Sequence, residues 1–190
     1  MTRSLGEALS LLADKGNINL ENSISRGIEK ESLRVSKDNT ISSADHPSSL
    51  GSALTNNYIT TDFSEALLEL ITPTHSSIEN VLNNLDEICK FVVEKTPETI
   101  WPSSIPCKIE NEDSIRLADY GTSNSGLLKT LYRSGLSYRY GSMMQTVSGI
   151  HYNFSFNDEF FESIRGEEDL RTFKNKSYLS LIRILDVMLG

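Results

Sequence analysis

A regular apolar pattern between residues 77 and 95 places the strongest constraint on the fold of this chain. Apolar side chains recur there every three or four residues, the spacing that puts them on one face of an α-helix. Pro97 follows the pattern and ends it. The sequence therefore predicts an amphipathic helix over 77–95, with Ser76 and Glu79 as a capping box at its start. Its apolar members are Ile78, Val81, Leu82, Leu85, Ile88, Val92 and Val93.

Three other segments favour β-structure. Residues 24–36 and 143–156 carry β-branched or aromatic residues that alternate with polar ones at most positions. Residues 58–72 are ambiguous, because β-branched residues at both ends enclose good helix formers, and we predict one strand there. Further helices are expected over 4–14, 113–119 and 127–140 and within 158–189. This order of elements predicts an α+β fold with an antiparallel sheet.

The charge balance excludes some classes of function. The 190 residues include 18 Lys plus Arg and 26 Asp plus Glu, a formal net charge of −8. Nucleic-acid surfaces need a basic stripe, so we expect no nucleic-acid partner. An acidic surface attracts metal ions and metal-bound phosphates, which the composition leaves open.

The sequence also indicates the compartment. Cys89 and Cys107 are too few for a disulfide framework. The first residues lack the apolar core of a signal peptide, and no apolar run approaches the roughly 18 residues of a membrane span. We therefore expect a cytoplasmic protein without a membrane partner.

Acidic residues on two of the predicted strands could hold a cation. Glu29 and Glu31 share one face of their strand, with Cα atoms about 6.5 Å apart. Carboxylate oxygens are the ligands that Mg²⁺ and Mn²⁺ prefer. Glu69 lies in an apolar run, where a carboxylate needs a partner, an ion or a wet surface. The alternative is that all three simply face solvent.

A histidine and an arginine extend this set. His151 shares a predicted polar strand face with Gln145 and Asn153, and neutral imidazole is a metal ligand. A hydrogen-bonded structural histidine is the alternative. Arg133 could clamp a carboxylate or a phosphate, or lie on an exposed helix face. Taken together, the pattern suggests a site for several cations and a polyphosphate; its members are Glu29, Glu31, Asp62, Glu69 and His151.

The same residues carry a resemblance to a known family. The runs RGIEKESLRV, ITTDFSEALLE, KTLYRSGL and MQTVSGIHYNFS are similar to bacterial glutamate–cysteine ligases of the gamma-proteobacterial type. The match runs in order from about residue 5 to residue 156 and fades beyond about residue 160. The matching segments are 26–35, 46–47, 50–55, 59–69, 101–107, 120–124, 129–136, 139–141 and 144–155.

The resemblance implies a fold and an activity. The fold would be a glutamine-synthetase-like half-barrel of antiparallel strands with flanking helices, present only in part. Residues 1–190 would form the N-terminal portion of a single larger catalytic domain, because family members are more than twice as long. The activity would be ATP-dependent joining of the L-glutamate γ-carboxyl to the L-cysteine amine, the first step of glutathione biosynthesis. A cytoplasmic monomer with Mg²⁺ or Mn²⁺ is implied as well.

The resemblance also assigns roles to individual residues. By position, the implied metal ligands are Glu29, Glu31, Glu69 and His151. Asp62 matches an acid beside the substrates and would orient or deprotonate the incoming amine, with Arg133 also in the catalytic set. The implied substrate contacts are Phe63, Tyr132 and Arg133.

Two alternatives remain open beside the ligase. One is another carboxylate–amine ligase of the same superfamily with a different amine acceptor. The other is a catalytically silent fragment that binds only a metal or a partner, since the nucleotide pocket of the family lies in its later part. We expect the 190-residue chain alone to be inactive.

Overall fold

A computed structural model describes Ser10 and residues 22–189 of the chain. The helix expected over 4–14, apart from Ser10, lies outside the described residues. The strands are β1 (Ile24–Val35), β2 (Ile59–Thr61), β3 (Leu67–Ile71), β4 (Thr99–Ile100) and β5 (Ile150–Phe156). The α-helices of the described part are α1 (Ile78–Lys95), α2 (Asn124–Tyr140), α3 (Asp158–Ile164) and α4 (Leu170–Leu189). Three short 3₁₀-helices occupy Ser48–Leu50, Glu112–Ser114 and Met143–Thr146.

The strands form one antiparallel sheet, which confirms the predicted α+β class. Their order is β2-β3-β1-β4, and β5 also pairs with β1. The registered pairs β1–β3, β1–β4 and β2–β3 all run antiparallel. Among the described residues the sheet does not close into a barrel. It is thus an open antiparallel sheet with helices, as the prediction of an incomplete half-barrel required.

The single strand predicted over 58–72 is wrong, because the structure divides this segment into β2 and β3. Between them, the backbone N–H of Asp62 donates to the Leu67 carbonyl at 3.0 Å, and the Leu67 N–H donates back to the Ser64 carbonyl at 3.0 Å. The Ser64 hydroxyl accepts from the same Leu67 N–H at 3.1 Å. A serine side chain that bonds local backbone in this way competes with a continuous ladder. A hairpin therefore replaces the strand.

The strand predicted over 143–156 is correct only in its second half. Met143–Thr146 forms a 3₁₀-helix, in which the Thr146 hydroxyl donates to the Met143 carbonyl at 2.7 Å. The strand begins at Ile150, after Gly149. Gln145 therefore does not share a strand face with His151.

The helix predictions are largely confirmed, with corrected ends. Helix α1 matches the apolar pattern, but its N-cap is Ser77, whose side chain accepts from the Asn80 N–H, so the Ser76–Glu79 capping box is wrong. Helix α2 begins earlier than predicted because the Ser123 side chain caps it. The helix expected over 113–119 is reduced to the 3₁₀ turn Glu112–Ser114.

The described residues fall into two compact units: one is formed by residues 26–153, and the other by the described residues within 1–25 and 154–190. In the first unit, α1 covers the sheet face that carries Leu68 and Leu70, packing with Ile88 and Val92. Glu69 alternates with these leucines and so projects from the opposite face. In the second unit the described core is aromatic, consisting of Phe156, Phe160, Phe161, Phe173 and Tyr178. None of the described helices is both long and apolar enough to cross a membrane.

Candidate metal-binding site

Strands β1 and β3 place three carboxylates on one sheet face. Glu31 lies directly opposite Glu69, and Glu29 lies opposite Ile71. Directly paired residues on antiparallel strands project to the same side, and residues two apart on one strand do so as well. The predicted common face of Glu29 and Glu31 is therefore also the face of Glu69.

Strand β5 adds a histidine and an amide. His151 Nδ1 lies 3.3 Å from a carboxylate oxygen of Glu29. The Asn153 side-chain amide donates to the other Glu29 oxygen at 2.8 Å. Alternation along β5 sends both side chains toward Glu29, so the amide orients the carboxylate that the imidazole approaches.

Glu29, Glu69 and His151 together form a compact set of potential ligands. One ligand atom from each lies within 4.8 Å of the other two. Glu29 and Glu69 are half-buried, whereas His151 is exposed. Two carboxylate oxygens and one imidazole nitrogen suit Mn²⁺ or Mg²⁺, with positions left for water or substrate oxygens.

The electrostatics of the set also favour a cation. The pKa of Glu69 rises from 4.5 to about 7, chiefly because burial disfavours the charged form. The negative charges of Asp62, Glu29 and Glu31 add to the rise, and His151 opposes it. A divalent cation would offset this concentration of negative charge, so the residues present fit a metal ion.

Glu31 lies beside the set but is held differently. One of its carboxylate oxygens accepts from the Gly149 N–H at 2.7 Å, and its own N–H donates to the Gly149 carbonyl at 3.0 Å. A Cβ at Gly149 would lie 3.5 Å from the same carboxylate oxygen, an ordinary van der Waals contact. Glu31 thus fixes the start of β5, while its charge acts on Glu69.

Asp62 and Arg133 are in contact, but the arginine is largely enclosed. Its Nε donates to the Asp62 carbonyl, its Nη1 donates to the Lys129 carbonyl at 3.1 Å, and its Nη2 lies 3.6 Å from Asp62 Oδ1. Arg133 is buried, which contradicts the exposed helix face considered above. The Asp62 side chain is 44% exposed and therefore accessible to a ligand.

The implied substrate contacts occupy contrasting positions. Phe63 is 1% exposed and packs in a core cluster with Leu33 and Leu67. Phe63 therefore belongs to the core beside the site, and its implied contact with a substrate stays a prediction. Tyr132 is exposed on α2 and is free to meet one.

Tyr120 is a residue of this region to which the sequence pattern gave no role. It is buried, and its hydroxyl donates to the Thr61 carbonyl at 2.6 Å, with the Asp62 carbonyl as a second, more distant acceptor at 3.1 Å. The only available signal was its place in the matching segment 120–124. Nothing in local periodicity distinguishes it from an ordinary core tyrosine.

The fold and the site define an α+β protein that gathers carboxylates and a histidine on one face of an open antiparallel sheet. The chain belongs to the glutamate–cysteine ligase family, whose family model matches residues 9–188. It is 48% identical over 187 residues to the glutamate–cysteine ligase of Pseudoalteromonas translucida, covering 96% of this chain and 36% of the relative. It is 49% identical over 166 residues to that of Hahella chejuensis, covering 84% of this chain and 32% of the relative. The chain thus spans about a third of the length of these curated relatives.

Two solved structures share the fold. The glutamate–cysteine ligase of Francisella tularensis, determined in complex with AMP, superposes with a TM-score of 0.72 at 46% identity, covering 75% of this chain and 29% of that one. A bifunctional glutathione synthetase from Pasteurella multocida superposes with a TM-score of 0.77 at 33% identity, covering 88% of this chain and 22% of that one.

Proposed function

We propose that this chain provides the N-terminal portion of an ATP-dependent glutamate–cysteine ligase, within one larger catalytic domain. The observation that carries the proposal is the set Glu29, Glu69 and His151 on one sheet face, in a chain of this family. The AMP bound to the Francisella tularensis relative supports an adenine nucleotide as cosubstrate. The substrates would be L-glutamate and L-cysteine. We also propose that the full-length protein is a cytoplasmic monomer.

The three-residue set would hold Mg²⁺ or Mn²⁺. When bound, such an ion neutralises charge on the nucleotide phosphates during phosphoryl transfer. The protein's part is orientation: Asn153 fixes the Glu29 carboxylate, and Glu31 fixes the backbone that leads to His151. Both contacts keep the ligand atoms in place before substrates arrive.

The reaction has two steps on this proposal. The glutamate γ-carboxylate attacks the γ-phosphorus of ATP, which forms an acyl phosphate and releases ADP. The cysteine amine then attacks the acyl carbon, forms the amide bond and releases phosphate. The exposed carboxylate of Asp62 is suited to orient the ammonium of cysteine and to accept its proton.

A silent fragment is the second candidate for the chain in isolation. The observation that favours it is coverage, because the chain spans only 36% and 32% of the two relatives described above. On the ligase proposal, residues that contact the nucleotide come from the part of the relatives that this chain does not match. The two candidates therefore differ in what happens when that part is supplied.

A hybrid ligase tests the proposed function. It joins residues 1–190 of this chain to the remaining C-terminal portion of the Pseudoalteromonas translucida enzyme. We expect the hybrid to form γ-glutamylcysteine with ATP and Mg²⁺, measured by mass spectrometry and phosphate release. Glu29→Gln should lower its turnover by about 100-fold or more, with little change in the unfolding midpoint.

The control is Glu87→Gln, the same chemical change at an exposed position of α1, which should leave turnover unchanged. A folded but inactive hybrid contradicts the ligase proposal. Near-normal turnover of Glu29→Gln removes Glu29 from the site. Equal rates with other amine acceptors would instead favour a different carboxylate–amine ligase.

A further inference from the structure

The turn after β2 is held by side chains that come from outside the sheet. Strand β2 lies at one end of the described strand order, so its backbone carbonyls that do not face β3, and those of the turn that follows, need partners from elsewhere. The Tyr120 hydroxyl shares its one proton between two of them, lying 2.6 Å from the Thr61 carbonyl, the nearer acceptor, and 3.1 Å from the Asp62 carbonyl. Tyr120 itself is 5% exposed and packs with Ala53 and Ala118.

Arg133 completes this arrangement. Its guanidinium carbon lies 4.7 Å from the centre of the Tyr120 ring, a cation–π contact. The same guanidinium donates to the Asp62 carbonyl and lies 3.6 Å from the Asp62 carboxylate. The ring therefore supports the group that contacts both the backbone and the side chain of Asp62.

The segment that carries Tyr120 is itself fixed to the turn. The Glu65 N–H donates to the Arg116 carbonyl at 2.9 Å, and the Ala118 N–H donates to the Phe63 carbonyl at 3.1 Å. The Glu65 carboxylate, which is 3% exposed, accepts from the Asp119 N–H at 2.8 Å. These bonds hold the segment against the turn from residue 62 to 65. The backbone that carries Tyr120 is therefore fixed relative to the carbonyls that its hydroxyl contacts.

We propose that Tyr120 is a positioning residue of the candidate site, whose hydroxyl and ring fix the direction in which Asp62 presents its carboxylate. The inference rests on the proposed ligase function for its effect on catalysis. The structural half of the inference, that Tyr120 holds the backbone at Asp62 in place, does not depend on that function. Tyr120 touches no substrate on this account and acts through Asp62 and Arg133.

The structural half is tested by hydrogen exchange on the 190-residue chain. Tyr120→Phe keeps the ring but removes the hydroxyl. We expect the amide of Asp62, which donates to Leu67, to exchange about tenfold faster, while amides of α1 keep their rates. Tyr138→Phe is the matched control, because Tyr138 is 95% exposed on α2. An unchanged rate at Asp62, or the same increase in the control, overturns the proposal.

The catalytic half is tested in the hybrid ligase. We expect Tyr120→Phe to lower kcat by about tenfold or more while KM for ATP changes less than about twofold, because Asp62 faces the amine-transfer step. A kcat within about twofold of the parent hybrid, or an equal loss in Tyr138→Phe, overturns the proposal. A parent hybrid without activity contradicts the proposed function instead, and hydrogen exchange then decides whether Tyr120 fixes Asp62.

Discussion

Glu69 is the residue at which stability and the proposed function oppose each other. Burial and three neighbouring carboxylates raise its pKa to about 7. The folded chain therefore holds the proton more tightly than the unfolded chain, in which the pKa is near 4.5. Ionisation of Glu69 consequently lowers the free energy of unfolding as the pH rises through this interval. A bound cation would reverse that cost.

Replacement of Glu69 should accordingly stabilise the metal-free chain. We expect Glu69→Gln to raise the free energy of unfolding by about 1 to 2 kcal/mol at pH 8, less than the full pKa shift because solvent screens this half-buried group. The gain should disappear below about pH 4.5, where Glu69 is protonated in both states. Urea unfolding in a chelator at the two pH values measures it, with Glu87→Gln as the control. A loss of stability at pH 8, or a gain independent of pH, contradicts this assignment.

At the scale of elements, local pattern was sufficient where an element is defined by its own sequence. The apolar repeat predicted α1, and alternation predicted β1 with Glu29 and Glu31 on one face. The hairpin inside 58–72 could not be predicted in this way, because the turn depends on Arg116 and Ala118, far along the chain. The segment Met143–Thr146 likewise lies within a stretch predicted as a strand, but it forms a 3₁₀-helix.

In the candidate site, too, local sequence pattern predicted some relations between residues and not others. Spacing alone related Glu29 to Glu31, but it could not relate them to His151, which reaches the site through strand pairing across more than a hundred residues. Their residue types on predicted strands suggested one cation site, and the family resemblance implied the same grouping, but neither gave the contacts between them. The support that Tyr120 gives to Asp62 depends on tertiary contacts, so no local pattern indicates it.

Helix α2 offers a test of element packing, because two of its glycines have opposite surroundings. A Cβ at Gly126 would lie 2.4 Å from the Tyr120 carbonyl oxygen, whereas a Cβ at Gly135 would meet nothing within 4 Å. We expect Gly126→Ala to lower the free energy of unfolding by about 2 kcal/mol, since the first turn of α2 must move away from Tyr120. Gly135→Ala should raise it by about 1 kcal/mol through helix propensity.

Thermal or urea unfolding of the two variants checks this contrast. The pair is matched, because both changes are Gly→Ala within one helix. Equal stability of the two variants would show that α2 does not pack closely on the Tyr120–Gly121 backbone.

At the scale of the whole molecule, the candidate metal ligands lie within one compact unit, residues 26–153. The chain spans about a third of the length of the curated relatives described above. On our account this unit holds the cation, while the unmatched portion of the relatives supplies the nucleotide contacts. On this proposal the isolated chain can fold and bind the cation without being able to catalyse the reaction.

This separation predicts an inactive isolated chain. Purified residues 1–190 with ATP, Mg²⁺, L-glutamate and L-cysteine should yield no γ-glutamylcysteine by mass spectrometry, although the hybrid ligase does. Detection of the dipeptide from the isolated chain would refute the division of labour between the two portions.

Mn²⁺ titration of the isolated chain shows, without the rest of the ligase, whether Glu29, Glu69 and His151 hold a divalent cation. Electron paramagnetic resonance of free Mn²⁺ gives the dissociation constant without any need for turnover. We predict one Mn²⁺ site whose dissociation constant rises about tenfold or more in Glu29→Gln and in His151→Asn, and is unchanged in Glu87→Gln. Equal Mn²⁺ affinity in all four folded proteins would mean that these side chains do not hold the ion.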